Sequence, residues 1–146
     1  MKIEMLLLLV IVAVMGLAPE VDDPAQDALQ KLSGTYCLIR GEEGGQAIDA
    51  ELAKTAKLVL RGDEHVVTLG SETIRGRHRV NPLETPATID ATDTSGRFAG
   101  KTVKGIYKLE DGRLSVCFAP PGEPRPTDFP TQDKPGGLWH QWQRSP

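Results

Sequence analysis

The chain of 146 residues carries 17 basic and 20 acidic side chains for a net charge of −3, and is 39% hydrophobic but only 5% aromatic. That length fits one domain and argues against an enzyme with separate cofactor and substrate lobes; a small charge of mixed sign lacks the basic stripe with which proteins hold nucleic acid. The 15 Gly and 11 Pro point to many turns and short elements rather than to a helical bundle.

Met5 to Ala18 is an unbroken apolar run of 14 residues behind Lys2. It has the length of the apolar region of a secretory signal and falls short of the ~20 residues that span a bilayer as a helix. Gly16-Leu17-Ala18 offers small residues for cleavage, with Pro19 next, and no Cys lies near for lipid attachment. Residues 1–18 therefore read as a signal peptide, cleaved or retained, of an exported protein, periplasmic or extracellular, whose membrane contact is limited to an uncleaved segment. In the N-terminal segment 19–33, Asp23-Pro24 makes a helix start, and Ala25, Ala28, Leu29 and Leu32 share one helical face.

After Gly34 the apolar period changes to two. Thr35–Arg40 reads as a strand, Gly41–Gln46 as a polar connection, and Asp49–Ala56 holds at most one helical turn. Lys57–Arg61, Glu64–Leu69, Glu72–Val80, Ala87–Thr92, Thr102–Leu109, Arg113–Ala119 and Leu138–Arg144 read as further strands, with one long Pro-rich loop from Pro120 to Pro135. Gly62-Asp63, Gly70-Ser71 and Asp111-Gly112 carry tight-hairpin chemistry, so sequence neighbours pair antiparallel. Eight such strands in residues 34–146 predict an all-β fold, an eight-stranded antiparallel up-and-down barrel with one short N-terminal helix. A two-sheet sandwich is the alternative.

If the more apolar face of each strand points inward, Tyr36, Leu38, Leu58, Leu60, Ile74, Val80, Ile89, Tyr107, Leu114, Val116 and Trp142 fill the interior. The same parity carries His78, His140 and Arg144 inward, and puts Arg75, Arg77 and Arg79 outside as a solvated basic row or an anion site. Cys37 and Cys117 also face outward with Ile39 and Trp139. In the barrel the last strand separates the two cysteines by about 9–10 Å, beyond the ~7 Å a disulfide spans, so the thiols are expected free. The amphipathic helix is expected to lie over this outer patch and shield them.

Several stretches resemble a known family: LSGTY at Leu32 to Tyr36, GEEGGQAI from Gly41, GIYKLEDGRLSVCFAPPG from Gly105, and RPTDF at Arg125 to Phe129. Together they resemble the lipocalin-like (calycin-type) domain family of exported, mostly planctomycete proteins, whose biochemical role is not established. The resemblance spans nearly the whole chain after the signal segment, and this chain has Tyr36 where the family favours Trp. It implies a calycin-type barrel in which Tyr36 on the first strand is covered by Arg144 from the chain's end. A guanidinium over an aromatic face contributes ~0.5–2 kcal/mol.

Tyr36, His78, Tyr107, His140 and Trp142 are the candidates to line a cavity and orient a ligand, since pockets are mostly apolar with a few polar groups. The plainer reading ties each polar group to the backbone in a filled core. Arg125, Asp128 and Phe129 sit on the Pro-rich loop, either as a recognition surface or as part of the path to the last strand. No metal or other cofactor is implied, because His65, His78 and His140 fall on separate strands without paired-ligand spacing. Gly96 to Thr102 is one residue short of a phosphate-binding loop and precedes a strand; no nucleophile elbow, Ser-His-Asp set or calcium loop is recognisable, so the chain reads as a non-enzyme. Two functions remain: binding of a small apolar or amphipathic ligand in the barrel, and a cell-envelope structural or protein-interaction module with a filled core. Interior volume separates them.

Overall fold

The computed structural model describes residues 16, 23–131 and 136–146, so the expected signal segment lies, apart from Gly16, outside the described residues. The elements run α1 (Pro24–Leu32), β1 (Gly34–Glu43), β2 (Gln46–Ala47), α2 (Ala50–Thr55), β3 (Lys57–Arg61), β4 (Glu64–Leu69), β5 (Glu72–Asn81), β6 (Ala87–Asp93), β7 (Thr102–Glu110), β8 (Arg113–Phe118) and β9 (Leu138–Arg144). From β3 onward each strand pairs antiparallel with the next, and β1 pairs with both β3 and β9. The sheet thus closes into an eight-stranded antiparallel barrel, with the two-residue β2 as an extra strand beside the end of β1.

Local chemistry sets the elements. The Asp23 carboxylate accepts from the amides of Ala25 and Gln26, satisfying donors that the first helical turn leaves free, and Pro24 suits a position that needs no amide hydrogen. At the β7–β8 hairpin both Asp111 (φ 49°) and Gly112 (φ 73°) are left-handed, the mirror-image turn that matches the twist of the flanking strands. Asp49 caps α2 in the same way as Asp23 caps α1. α2 bridges β1 and β4 at the end of the barrel away from Gly34, where the Thr55 hydroxyl accepts from the Gly70 amide at 2.9 Å.

Closure is staggered by a bulge. Tyr36 faces Arg144 and Leu38 faces Trp142, but the register then slips, so that Arg40 opposes Gln141 and Gly41 opposes His140. The extra residue reverses the parity of the rest of β1. Gly41 therefore turns inward beside His140, and Arg40 goes outside, its guanidinium 4.9 Å from the centre of the Trp139 ring.

The interior is one continuous core. Tyr36, Leu58, Leu60, Val80, Ile89, Tyr107, Leu114, Val116 and Trp142 contribute from the strands, and Ala28 and Leu32 enter the same cluster from α1. The helix lies across the barrel mouth and not, as its apolar stripe suggested, over the outer cysteine patch. A single residue, Ser33, links α1 to β1, and the Tyr36 hydroxyl donates to the Leu32 carbonyl at 2.6 Å, so the helix is held over the opening. The Pro-rich loop covers the patch instead: Phe129 packs on Ile106, Cys117 and Trp139.

Cys37 and Cys117 are free, on β1 and β8 with β9 between them. Cys37 is exposed beside the Ser145 hydroxyl, whereas Cys117 is buried, and burial raises its thiol pKa and withholds the reactive thiolate. Alkylation of the native protein should label one thiol per chain, and alkylation after unfolding two, with or without prior reduction. Intact mass reads both, and two labels in the native state would contradict the burial of Cys117.

Candidate functional site

The barrel mouth is sealed from the chain's two ends. Tyr36 is fully buried; its hydroxyl donates to the Leu32 carbonyl and accepts from Arg144 Nη2 at 2.8 Å, while the guanidinium carbon lies 5.3 Å from the ring centre. The same Nη2 also donates to the Lys31 carbonyl, at the C-terminal end of α1 where unpaired carbonyls attract cations. Burial raises the Tyr36 hydroxyl pKa, opposed by the hydrogen bond and charge of Arg144, so the phenol keeps its proton. Tyr36→Phe should cost about 1–2 kcal/mol in urea unfolding, because the buried Leu32 carbonyl and the half-buried Arg144 guanidinium each lose a bond. The loss should come with faster amide exchange in α1; unchanged α1 exchange would separate the helix from this seal.

Beside the seal a groove of about 490 Å³ runs between α1, the β5–β6 connection and the end of β7. Ala28, Leu32, Leu83, Pro86, Ala87 and Tyr107 form most of its apolar wall. Lys31, Asp27 and Lys108 supply charge at its edge, and Leu83 is 77% exposed. Among the described residues no hydrogen bond ties the Tyr107 hydroxyl to the protein. Tyr107 is the one cavity candidate from the sequence that reaches this groove. Tyr36 and Trp142 are buried in the core, His78 points into the lumen, and His140 packs edge-on against Trp142 with ring centres 5.6 Å apart.

The lumen holds a polar chain that the sequence did not disclose. His65, Gly76 and Asp93 stand in register across β4, β5 and β6. Because Gly76 has no side chain, the His65 ring lies over it: a Cβ there would come within 2.6 Å of His65 Nε2. His65 Nε2 reaches Asp93 Oδ1 at 2.8 Å, and His65 Nδ1 meets His78 Nδ1 at 3.2 Å. His78 is 2% exposed, and its Nε2 is buried without a hydrogen-bond partner among the described residues. Its pKa falls to about 4, chiefly because burial penalises the charged ring and then through the charge of His65, with Asp63 and the Gly62 backbone opposing. His140 is likewise lowered to about 4 by burial, opposed by Glu43. Sequence reasoning missed His65 and Asp93 as partners; the one available signal was a glycine in the middle of the strand TIRGRHRV, a residue type that marks close approach.

The remaining candidates lie on the outside of the barrel. Arg125 fastens the Pro-rich loop to the outer wall, donating to the Gly105 carbonyl at 2.7 Å and the Ile89 carbonyl at 3.3 Å, and pairing with Asp90 at 2.7 Å. Asp128 is exposed and accepts from the Thr127 hydroxyl, and Phe129 both covers the outer patch and lines the groove. Arg75, Arg77 and Arg79 are exposed, with Arg77 held by Asp63 and Glu64. Among the described residues no group of three or more His, Cys, Asp or Glu is placed to hold a metal ion. Compared with family models, curated proteins and solved structures, the chain matches none.

Proposed function

We propose that this is an exported, lipocalin-like binding protein whose ligand is a small apolar or amphipathic molecule, seated in the groove at the α1 mouth rather than in the lumen. The observation that carries the reading is the groove itself. Its volume falls in the range of small-molecule sites, its walls are largely apolar, and Tyr107 and the ion-paired Lys31 and Lys108 bring polar groups to it. The lumen offers less, because the inward side chains that would line it touch one another in a single core. That packed apolar cluster also suits the second reading, a cell-envelope structural or protein-interaction module working through its outer surface and the Pro-rich loop.

Native mass spectrometry of protein purified from its own host tests the choice. A retained ligand is expected, and Leu83→Glu should lose it, since a carboxylate at the exposed lip opposes an apolar occupant without touching the core. Apo protein only, together with no thermal shift across a panel of lipids and metabolites, would turn the assignment to the interaction module.

A further inference from the structure

The Asp93–His65–His78 chain fixes where hydrogens can sit. An ionised Asp93 accepts only, so His65 presents Nε2–H to it, which leaves His65 Nδ1 as an acceptor. The facing atom of His78 must then be Nδ1–H, and His78 Nε2 carries the lone pair that finds no partner. One added proton can be placed. With both nitrogens of His65 protonated, Nε2–H stays on Asp93 and Nδ1–H turns toward His78, whose own hydrogen moves to Nε2. A second cannot, because both Nδ1 atoms would then carry hydrogens that face each other across 3.2 Å, on two cations inside an apolar barrel.

Two neighbours on the β3–β4 turn, the Gly62 backbone and the Asp63 charge, favour a proton on His78, but burial and the charge of His65 outweigh them. β6 sets Ala91 opposite His78, and beyond it Asp93 already serves His65. From the β3–β4 turn, Asp63 is held outside by Arg77, as is Glu64 at the start of β4. Arg77 and Arg79 on β5 point outward, Lys57 and Arg61 of β3 are exposed, and Asp27 and Lys31 of α1 pair with each other at the surface. The contact that would break joins β4 to β5. The β5 strand also carries Val80, which shares the core with α1, and leads directly into the groove wall at Pro82 and Leu83.

We propose that Asp93, His65 and His78 form an acid latch: the chain holds β4 against β5 while at most one proton is shared, and releases this part of the barrel when both imidazoles are charged. The full-length protein labelled with 15N tests it through imidazole nitrogen shifts and amide exchange followed from pH 7 to pH 4. The expected result at pH 7 is the Nε2–H form of His65 with the Nδ1–H form of His78, the rarer tautomer in free histidine. On acidification, protection of β4 and β5 amides should fall by about tenfold relative to β7 and β8, after correction for the intrinsic effect of pH on exchange. His78→Gln, whose amide can still donate to His65 but cannot take a proton, should abolish that difference. Both rings in the Nε2–H form at pH 7, or equal loss of protection around the barrel, would overturn the latch, and the wild-type measurement decides even where the variant does not fold.

Discussion

Gly76→Ala should unfold at markedly lower urea concentration than the wild type, losing about 3 kcal/mol, toward the upper end of the range for overpacking a filled interior. The added methyl would stand 2.4 Å from the Thr92 carbonyl oxygen and 2.6 Å from His65 Nε2. The first neighbour is backbone of the adjoining strand and cannot move without opening the β5–β6 ladder; the second cannot move without abandoning Asp93. Gly105→Ala makes a useful comparison, because its methyl would meet the Cys117 carbonyl at 2.6 Å and the Phe118 ring, with no imidazole involved. Both variants should be destabilised, but only Gly76→Ala should disturb the His65 ring signals. A loss below about 1 kcal/mol for Gly76→Ala would show that the barrel wall at this row is far softer than a close-packed core.

Acidification should destabilise the fold well before its carboxylates are neutralised. His78 has a folded-state pKa near 4 against 6.5 in the open chain, so between those values the unfolded state binds more protons. Its contribution is therefore fully present above about pH 6.5 and is lost as the pH falls toward 4, where for this group the curve flattens. The shift corresponds to about 3 kcal/mol for a ring as buried as His78. His140 acts in the same direction, its pKa likewise lowered to about 4 by burial against the opposing charge of Glu43. Urea unfolding at steps from pH 8 to pH 4 should show stability level at first and then falling, with a shallower fall in His78→Gln. A stability profile flat through this window would mean that the imidazoles meet water in the folded state.

Much of the barrel is legible in the chain because its causes are local. The hairpin at Asp111-Gly112 is written in two residues that tolerate left-handed backbone, and alternation along RLSVCF or LWHQWQR states which face is apolar. The free cysteines are legible too, since strand order alone keeps β1 and β8 apart. The bulge at Ile39 is not: nothing in CLIRGE marks where the register slips, yet that slip puts Arg40 outside and Gly41 inside. His65 is equally hidden, because EHVVTL places two valines side by side and alternation cannot choose its inner face.

The sequence by itself determined the eight barrel strands, though not the end of β1 past Arg40 or the short β2, together with their antiparallel order and the amphipathic stripe of α1, because period and turn chemistry act over a few residues. Only the tertiary structure decided what that stripe covers, since the mouth and the outer cysteine patch are both apolar and the one-residue link at Ser33 selects the nearer. It likewise decided the meeting of His65 with Asp93, 28 residues apart, because that contact needs two strand registers and a glycine between them to coincide.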